Sequence, residues 1–168
     1  MNIELPKYVG LNEMVDELAR KLMLTRFQNS RLNQSILMDD VTKTCEEYLG
    51  QRLTTLGVPH KVWRDVAEPY AEGIRPVFVF GNTFIPDLVI DVAEKPTLAL
   101  SVKYIGPGAR TTFNLSAAIG EALVFSHQYP AVIAFLYQSK KGVDYMHLLD
   151  REIMMALWHE HKIKLVLR

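Results

Sequence analysis

The stretch FIPDLVIDVAEKPTLALSVKYI, residues 84–105, decides the fold. Two apolar runs rich in β-branched residues flank a turn signal at 94–96, and this pattern predicts two successive β-strands. The second run is almost continuously apolar, which is typical of a central strand covered on both faces. Asp87 and Lys103 interrupt the apolar pattern. Because burying an unpaired charge is expensive, these two side chains need a partner or a function.

Apolar periodicity and turn residues predict the elements around this stretch. Residues 10–38 read as helical, and a further helix begins near Asp40 and stops at Gly57. A hairpin is expected to turn at Gly81-Asn82. The predicted strands are 60–66, 76–82, 83–91, 97–105, 131–138, 143–149 and 163–168. The later predicted helices are 115–128, capped by Thr112 or Asn114, and one near 150–160.

These elements predict one α/β domain over residues 1–168, with a mixed central sheet. Residues 10–38 form its helical N-terminal extension. Residues 40–138 form its core, in the order helix, three strands, helix and strand. Residues 139–168 add a C-terminal strand, helix and strand.

Composition narrows the class of protein. With 49% hydrophobic and 23% charged residues, the chain has the composition of a soluble globular protein. A single cysteine, Cys45, leaves no internal disulfide framework and fits a reducing, cytoplasmic location. The 19 basic and 19 acidic residues cancel, which argues against a dedicated high-affinity polyanion binder, although a local basic patch stays open.

Asp87, Ser101 and Lys103 form the constellation that can carry chemistry. If the two strands are neighbours, these side chains lie side by side, because alternate residues of a strand share a face. A carboxylate there can hold a hard divalent cation such as Mg²⁺. A lysine beside it can serve an attacking water or stabilise charge on a phosphate. The alternative is a simple Asp87–Lys103 salt bridge at the rim of the sheet.

The element order, with Pro86-Asp87 on one strand and Ser101-Val102-Lys103 on the next, resembles the PD-(D/E)XK nuclease superfamily over residues 40–138. This resemblance implies a restriction endonuclease-like αβββαβ core. It also implies hydrolysis of DNA phosphodiester bonds with Mg²⁺ or Mn²⁺ as cofactor. Asp87 would then be a metal ligand, and Lys103 would serve the attacking water.

The helix before the sheet adds a second match, because CEEYLGQRLTTLGV, residues 45–58, follows the family's Glu, apolar, Leu, Gly spacing. The resemblance implies that Glu46 helps to hold the metal. On a helical wheel Glu46 flanks the apolar face, whereas Glu47 points towards solvent. The alternative is that both glutamates belong to a solvated helix face beside the N-terminal dipole.

Ser101 departs from the family pattern, which usually has Asp or Glu at this position. A hydroxyl cannot replace the charge of a carboxylate as a ligand for a hard dication. Some restriction enzymes of this superfamily also read Ser-x-Lys, and the helix that follows supplies their acid. Glu121 is the candidate here, since it is the acid in SAAIGEALVF, residues 116–125. A solvent-facing Glu121 and a contribution from Asp91 are the alternatives.

Arg110, Thr111 and Thr112 precede the predicted helix and form a candidate phosphate-binding spot. Backbone N–H groups, the helix dipole and a guanidinium together favour a phosphate. In a nuclease this spot would hold the DNA backbone, and the alternative is an ordinary surface arginine.

The leading interpretation is a metal-dependent DNA endonuclease of the PD-(D/E)XK type. The alternative is a catalytically degenerate domain of the same fold that acts as a nucleic-acid-binding or protein-interaction scaffold. A neutral chain of 168 residues leaves little room for a separate sequence-reading domain. We therefore expect a homodimer, a larger complex, or recognition of DNA structure more than sequence.

Overall fold

The computed structural model describes residues 10–27, 33–64, 74–106, 111–138 and 150–168. The helices of these residues are α1 (Leu11–Leu24), α2 (Gln34–Leu53), α3 (Thr111–Ser126) and α4 (Arg151–His161). The strands are β1 (His60–Arg64), β2 (Val77–Val79), β3 (Asn82–Phe84), β4 (Leu88–Val92), β5 (Lys95–Ile105), β6 (Ala131–Gln138) and β7 (Ile163–Leu167). None of the described helices has the length and apolar character that a bilayer crossing requires.

The main sheet is mixed and has the strand order β1-β4-β5-β6-β7. Strands β1, β4 and β5 are antiparallel neighbours, whereas β6 runs parallel to β5 and β7 runs parallel to β6. The predicted mixed α/β sheet is therefore confirmed, and among the described strands β5 is at its centre and β7 at an edge. The predicted order has three strands between the two helices, whereas the structure has five strands, β1 to β5, between α2 and α3. Three of these five, β1, β4 and β5, belong to the main sheet.

The central strand β5 faces a different helical layer on each side. Leu98, Leu100 and Val102 pack in one core cluster with side chains of α1 and α2. Ala99 and Ile105 pack in the other cluster, with side chains of α3. Because side chains alternate along a strand, Ser101 and Lys103 share the α3 side of the sheet with Ala99 and Ile105.

The prediction of a helix that begins near Asp40 is wrong. A single helix of 20 residues, α2, runs through this position, and Asp40 lies inside it. The actual N-cap is Asn33, whose side chain accepts a hydrogen bond from the backbone N–H of Ile36. No proline or glycine separates Gln34 from Asp40, so nothing in the sequence interrupts the helix there.

The predicted strand 83–91 is two strands in two different sheets. Strand β3 pairs with β2 in a separate two-stranded sheet, whereas β4 belongs to the main sheet. Pro86 lies between them, and a proline has no N–H group to donate to a ladder. The hairpin turns at Phe80-Gly81, one residue before the predicted position, since Val79 pairs with Asn82.

The helix α3 begins at Thr111, so the predicted caps Thr112 and Asn114 both lie inside it. The predicted last helix is confirmed as α4, and its N-cap is Asp150, whose side chain accepts from the N–H of Glu152. The predicted strand 143–149 lies outside the described residues.

Candidate functional site

Glu121 lies against the sheet, in contact with two side chains of β5. Its Oε2 atom accepts a hydrogen bond from the Ser101 hydroxyl at 2.8 Å. The same oxygen forms an ion pair with Lys103 Nζ at 2.7 Å. Ser101 is fully buried, and the side chains of Lys103 and Glu121 are about three-quarters buried, with 28% and 27% of their surface exposed. Glu121 therefore does not face open solvent.

The packing of α3 on the sheet explains this position of Glu121. Ala118, Ala122 and Phe125 are buried in the core cluster between α3 and the sheet. Residues three and four apart share one face of a helix, so Glu121 lies at the flank of this buried face. The helix thus brings a carboxylate against the Ser101 hydroxyl on the sheet.

Asp87 approaches β5 from the neighbouring strand. It directly precedes β4, whose first residue, Leu88, pairs with Leu100 of β5. The Asp87 Oδ2 atom accepts a hydrogen bond from the backbone N–H of Val102 at 2.7 Å. The Asp87 carboxylate is therefore beside β5 between Ser101 and Lys103. The ion pair of Lys103 is with Glu121, not the Asp87–Lys103 pair of the simple salt-bridge interpretation.

Gln34, the first residue of α2, also binds the end of β5. This contact was not predicted from the sequence. Its Nε2 donates to the carbonyl of Val102 at 2.7 Å, and its Oε1 accepts from the N–H of Tyr104 at 2.8 Å. The pairing of β4 with β5 stops at Leu100, so among the described residues the end of β5 has backbone groups without a strand partner on that side. The side chains of Asp87 and Gln34 satisfy these groups and fix the end of β5 that carries Lys103.

Glu46 is not brought to these side chains. It is exposed on α2, and α2 packs on the opposite side of the sheet from α3. It also lies twelve residues after Gln34, which is about 18 Å further along the helix axis. Within the described ranges, no group of three or more His, Cys, Asp and Glu side chains could hold a metal ion.

Asp91 lies apart from Asp87 and has different contacts. It lies four residues after Asp87, or about 13 Å along an extended chain. Its Oδ2 atom accepts a hydrogen bond from the indole N–H of Trp63 at 2.7 Å. Burial raises the pKa of the Asp91 carboxyl above its ordinary value, and the Trp63 hydrogen bond opposes this shift. Asp91 is therefore not a replacement for the acid that is missing at position 101.

The candidate phosphate-binding residues are only partly described. Arg110 lies outside the described residues, as do the side chains of Thr111 and Thr112. The backbone of Thr111 and Thr112 forms the first turn of α3. The proposal of a phosphate site at this turn stays a prediction.

Asp87 and Glu121 provide a donor set that suits a hard divalent cation. Mg²⁺ is commonly bound by one or two carboxylates, with water and substrate phosphate as its other ligands. Both side chains reach the same end of β5, and Lys103 adds a positive charge beside them. Of the described residues, Asp87 and Glu121 are therefore the carboxylates that would hold Mg²⁺ or Mn²⁺ at this end of β5, without Glu46.

Comparisons of the chain with family models, with curated proteins and with solved structures find no match. The interpretation of this cluster therefore depends on its own geometry and chemistry.

Proposed function

We propose that this chain is a metal-dependent DNA endonuclease of the PD-(D/E)XK type. The observation that carries the proposal is the position of Glu121, which contacts both Ser101 and Lys103, while Asp87 contacts the backbone of Val102 between them. An aspartate, a second carboxylate and a lysine together are the groups that this hydrolysis requires. The elements that form the main sheet and its flanking helices, with the separate β2–β3 sheet left out, follow the order α2, β1, β4, β5, α3 and β6, which supports a restriction endonuclease-like core.

Each side chain has a separate role in the proposed reaction. Asp87 and Glu121 would hold Mg²⁺ or Mn²⁺, which when bound supplies Lewis-acid stabilisation and lowers the pKa of a water ligand. Lys103 orients the attacking water and stabilises the negative charge that develops on the phosphate. Ser101 donates its hydroxyl hydrogen to Glu121 and so keeps that carboxylate in place.

DNA cleavage by two single variants tests the proposal. Supercoiled, linear and branched DNA are incubated with the purified chain and Mg²⁺ or Mn²⁺. We expect cleavage by the wild type and a loss of at least about 100-fold in Asp87→Ala and in Lys103→Ala, since each removes a group that acts on the reacting phosphate. Glu47→Gln, an exposed position on α2, is the matched control. Persistence of cleavage in both alanine variants would rule out the assignment.

The second candidate function is a catalytically degenerate scaffold of the same fold. It is favoured by the hydrogen bonds that both carboxylates already make within the protein, Asp87 to Val102 and Glu121 to Ser101. In that case the cluster only stabilises the end of β5. A wild-type chain that cuts none of the DNAs, yet co-purifies with a stoichiometric partner, would support this second function.

A further inference from the structure

The hairpin of β2 and β3 carries exposed aromatic rings. Phe80 at its tip is 99% exposed, and Phe78 on β2 is 67% exposed. Phe113, in the first turn of α3, is 70% exposed. Most large apolar side chains of the described residues are buried in the two core clusters, so a fully exposed phenyl ring is a clear exception.

The backbone at the tip does not favour phenylalanine. Phe80 and Gly81 form a two-residue turn, with φ of 48° and 77°. Turns of this kind favour Asn-Gly, because the first residue must adopt a positive φ. The turn between β4 and β5 places Ala93 and Glu94 in the same region, so strain alone does not single out Phe80. A strained position that also exposes a large ring gives no benefit to folding.

The rest of the hairpin packs against the core of the protein. Val77 is buried, and Val79, Phe84 and Ile85 pack against the core cluster that includes α3. The chain then continues through Pro86 directly into Asp87. The aromatic tip is thus connected to the candidate site by a short, packed segment.

Arg75 places a positive charge just before the first strand of the hairpin. Arg75 is exposed and precedes β2. Its backbone is held by Tyr129, whose hydroxyl accepts from the Arg75 N–H at 3.0 Å and donates to the Arg75 carbonyl at 2.9 Å. An exposed guanidinium on a backbone that is held in place is suited to a DNA backbone phosphate.

We infer that Phe80 stacks on an unpaired base of the DNA substrate, next to the phosphate that the candidate site would cut. This inference rests on the proposed function. Aromatic rings stack on bases of any sequence, whereas the bases of a regular duplex are already stacked on one another. The substrate class is therefore DNA with unstacked bases, such as bulges, junctions or single-stranded ends, and not regular duplex.

The test compares binding of two DNA probes in EDTA, where cleavage cannot contribute. One probe is a fluorescein-labelled duplex, and the other is the same duplex with a two-nucleotide bulge. We expect the wild type to prefer the bulged probe and Phe80→Asn to weaken its binding about tenfold, the typical effect of losing one stacked ring. Phe80→Trp should keep the preference. Leu24→Asn, which removes an exposed apolar side chain from α1, is the matched control.

A stability measurement separates a loss of contact from a loss of folding. Asparagine tolerates a positive φ, so Phe80→Asn should raise the melting midpoint by about 2 °C while it weakens DNA binding.

If Phe80→Asn binds the bulged probe as tightly as the wild type, the inference is overturned, even if the wild type cuts DNA. A change from dimer to monomer in Phe80→Asn, with unchanged DNA binding, would also overturn it, because the tip would then contact a second copy. Cleavage that is absent while the Phe80 effect on binding persists would count against the proposed nuclease and not against the stacking.

Discussion

At the scale of single residues, the interpretation of the candidate site depends on where the Glu121 side chain points. Ser101 shares its side of the sheet with Lys103, and this arrangement follows from the alternation of side chains along a strand. The direction of Glu121 does not follow in this way, because it depends on how α3 packs on the sheet. The sequence left open whether this glutamate faces solvent, and the structure pairs it with Ser101 and Lys103.

Exchange of the two side chains tests whether Glu121 replaces an acid at position 101. We expect Glu121→Ser alone to lose cleavage, since one of two carboxylates is then missing. The double variant Ser101→Glu with Glu121→Ser should recover at least about a tenth of wild-type cleavage, because the carboxylate returns to the strand. Plasmid cleavage with Mn²⁺ measures both, and circular dichroism checks that both fold. A double variant as inactive as Glu121→Ser would argue that the two positions are not equivalent.

Gln34 and Glu46 show what single-sequence reasoning cannot supply at this scale. Gln34 contacts Val102 and Tyr104, which are 68 and 70 positions away in the chain. No local pattern marks such a contact. Glu46 matches the spacing of the family motif, but spacing does not determine on which side of the sheet its helix packs.

At the scale of elements, a partly buried hydrogen-bond network joins α1 to α2. Tyr48 of α2 donates its hydroxyl hydrogen to Glu17 Oε2 of α1 at 2.8 Å. Arg52 of α2 pairs with the same carboxylate and with Glu13. The hydrogen bond from Tyr48, together with the Arg52 charge, lowers the pKa of Glu17 below 4.5. Burial and the Glu17 contact raise the pKa of the Tyr48 hydroxyl well above its ordinary value.

This network predicts a pH-dependent stability. Because the pKa of Glu17 is lowered in the folded state, its contribution is present above pH 4.5 and is lost as the pH falls below that value. Glu17→Gln should lower the free energy of unfolding by about 1 kcal/mol at pH 7, a modest figure because this side chain is 39% exposed. The difference from the wild type should shrink near pH 3.5. Urea unfolding at both pH values measures it, with Glu47→Gln as control. An equal difference at both pH values would contradict this explanation.

The sequence predicts the end of a helix well where a glycine follows it. It predicts the start of a helix poorly where several residues could serve as the cap. Gly57, with φ of 65°, follows the short 3-10 turn after α2 as the glycine signal indicated. Asp40 resembles a helix cap in sequence, but Asn33 provides the actual cap seven residues earlier. At Pro86 the sequence does carry a signal, since this proline between two apolar runs marks the change from one sheet to the other.

At the scale of the whole molecule, the mixed α/β architecture could be predicted because strand and helix periodicities alternate clearly after residue 60. The two-sided burial of β5 was also visible as a continuous apolar run. The insertion of β2 and β3 as a separate small sheet could not be predicted, because pairing between strands depends on contacts that a local pattern does not encode. The proposed DNA contact of Phe80 depends on this insertion.

The central proposal is that Asp87 and Glu121 together would hold a catalytic divalent cation. Calorimetric titration of Mn²⁺ into the wild type and Glu121→Gln, at equal protein concentration and without DNA, tests it most directly. We predict one binding site in the wild type and an affinity at least about tenfold lower in Glu121→Gln, because the amide oxygen lacks the charge of the carboxylate. An affinity for Mn²⁺ that is the same in both proteins would contradict the claim.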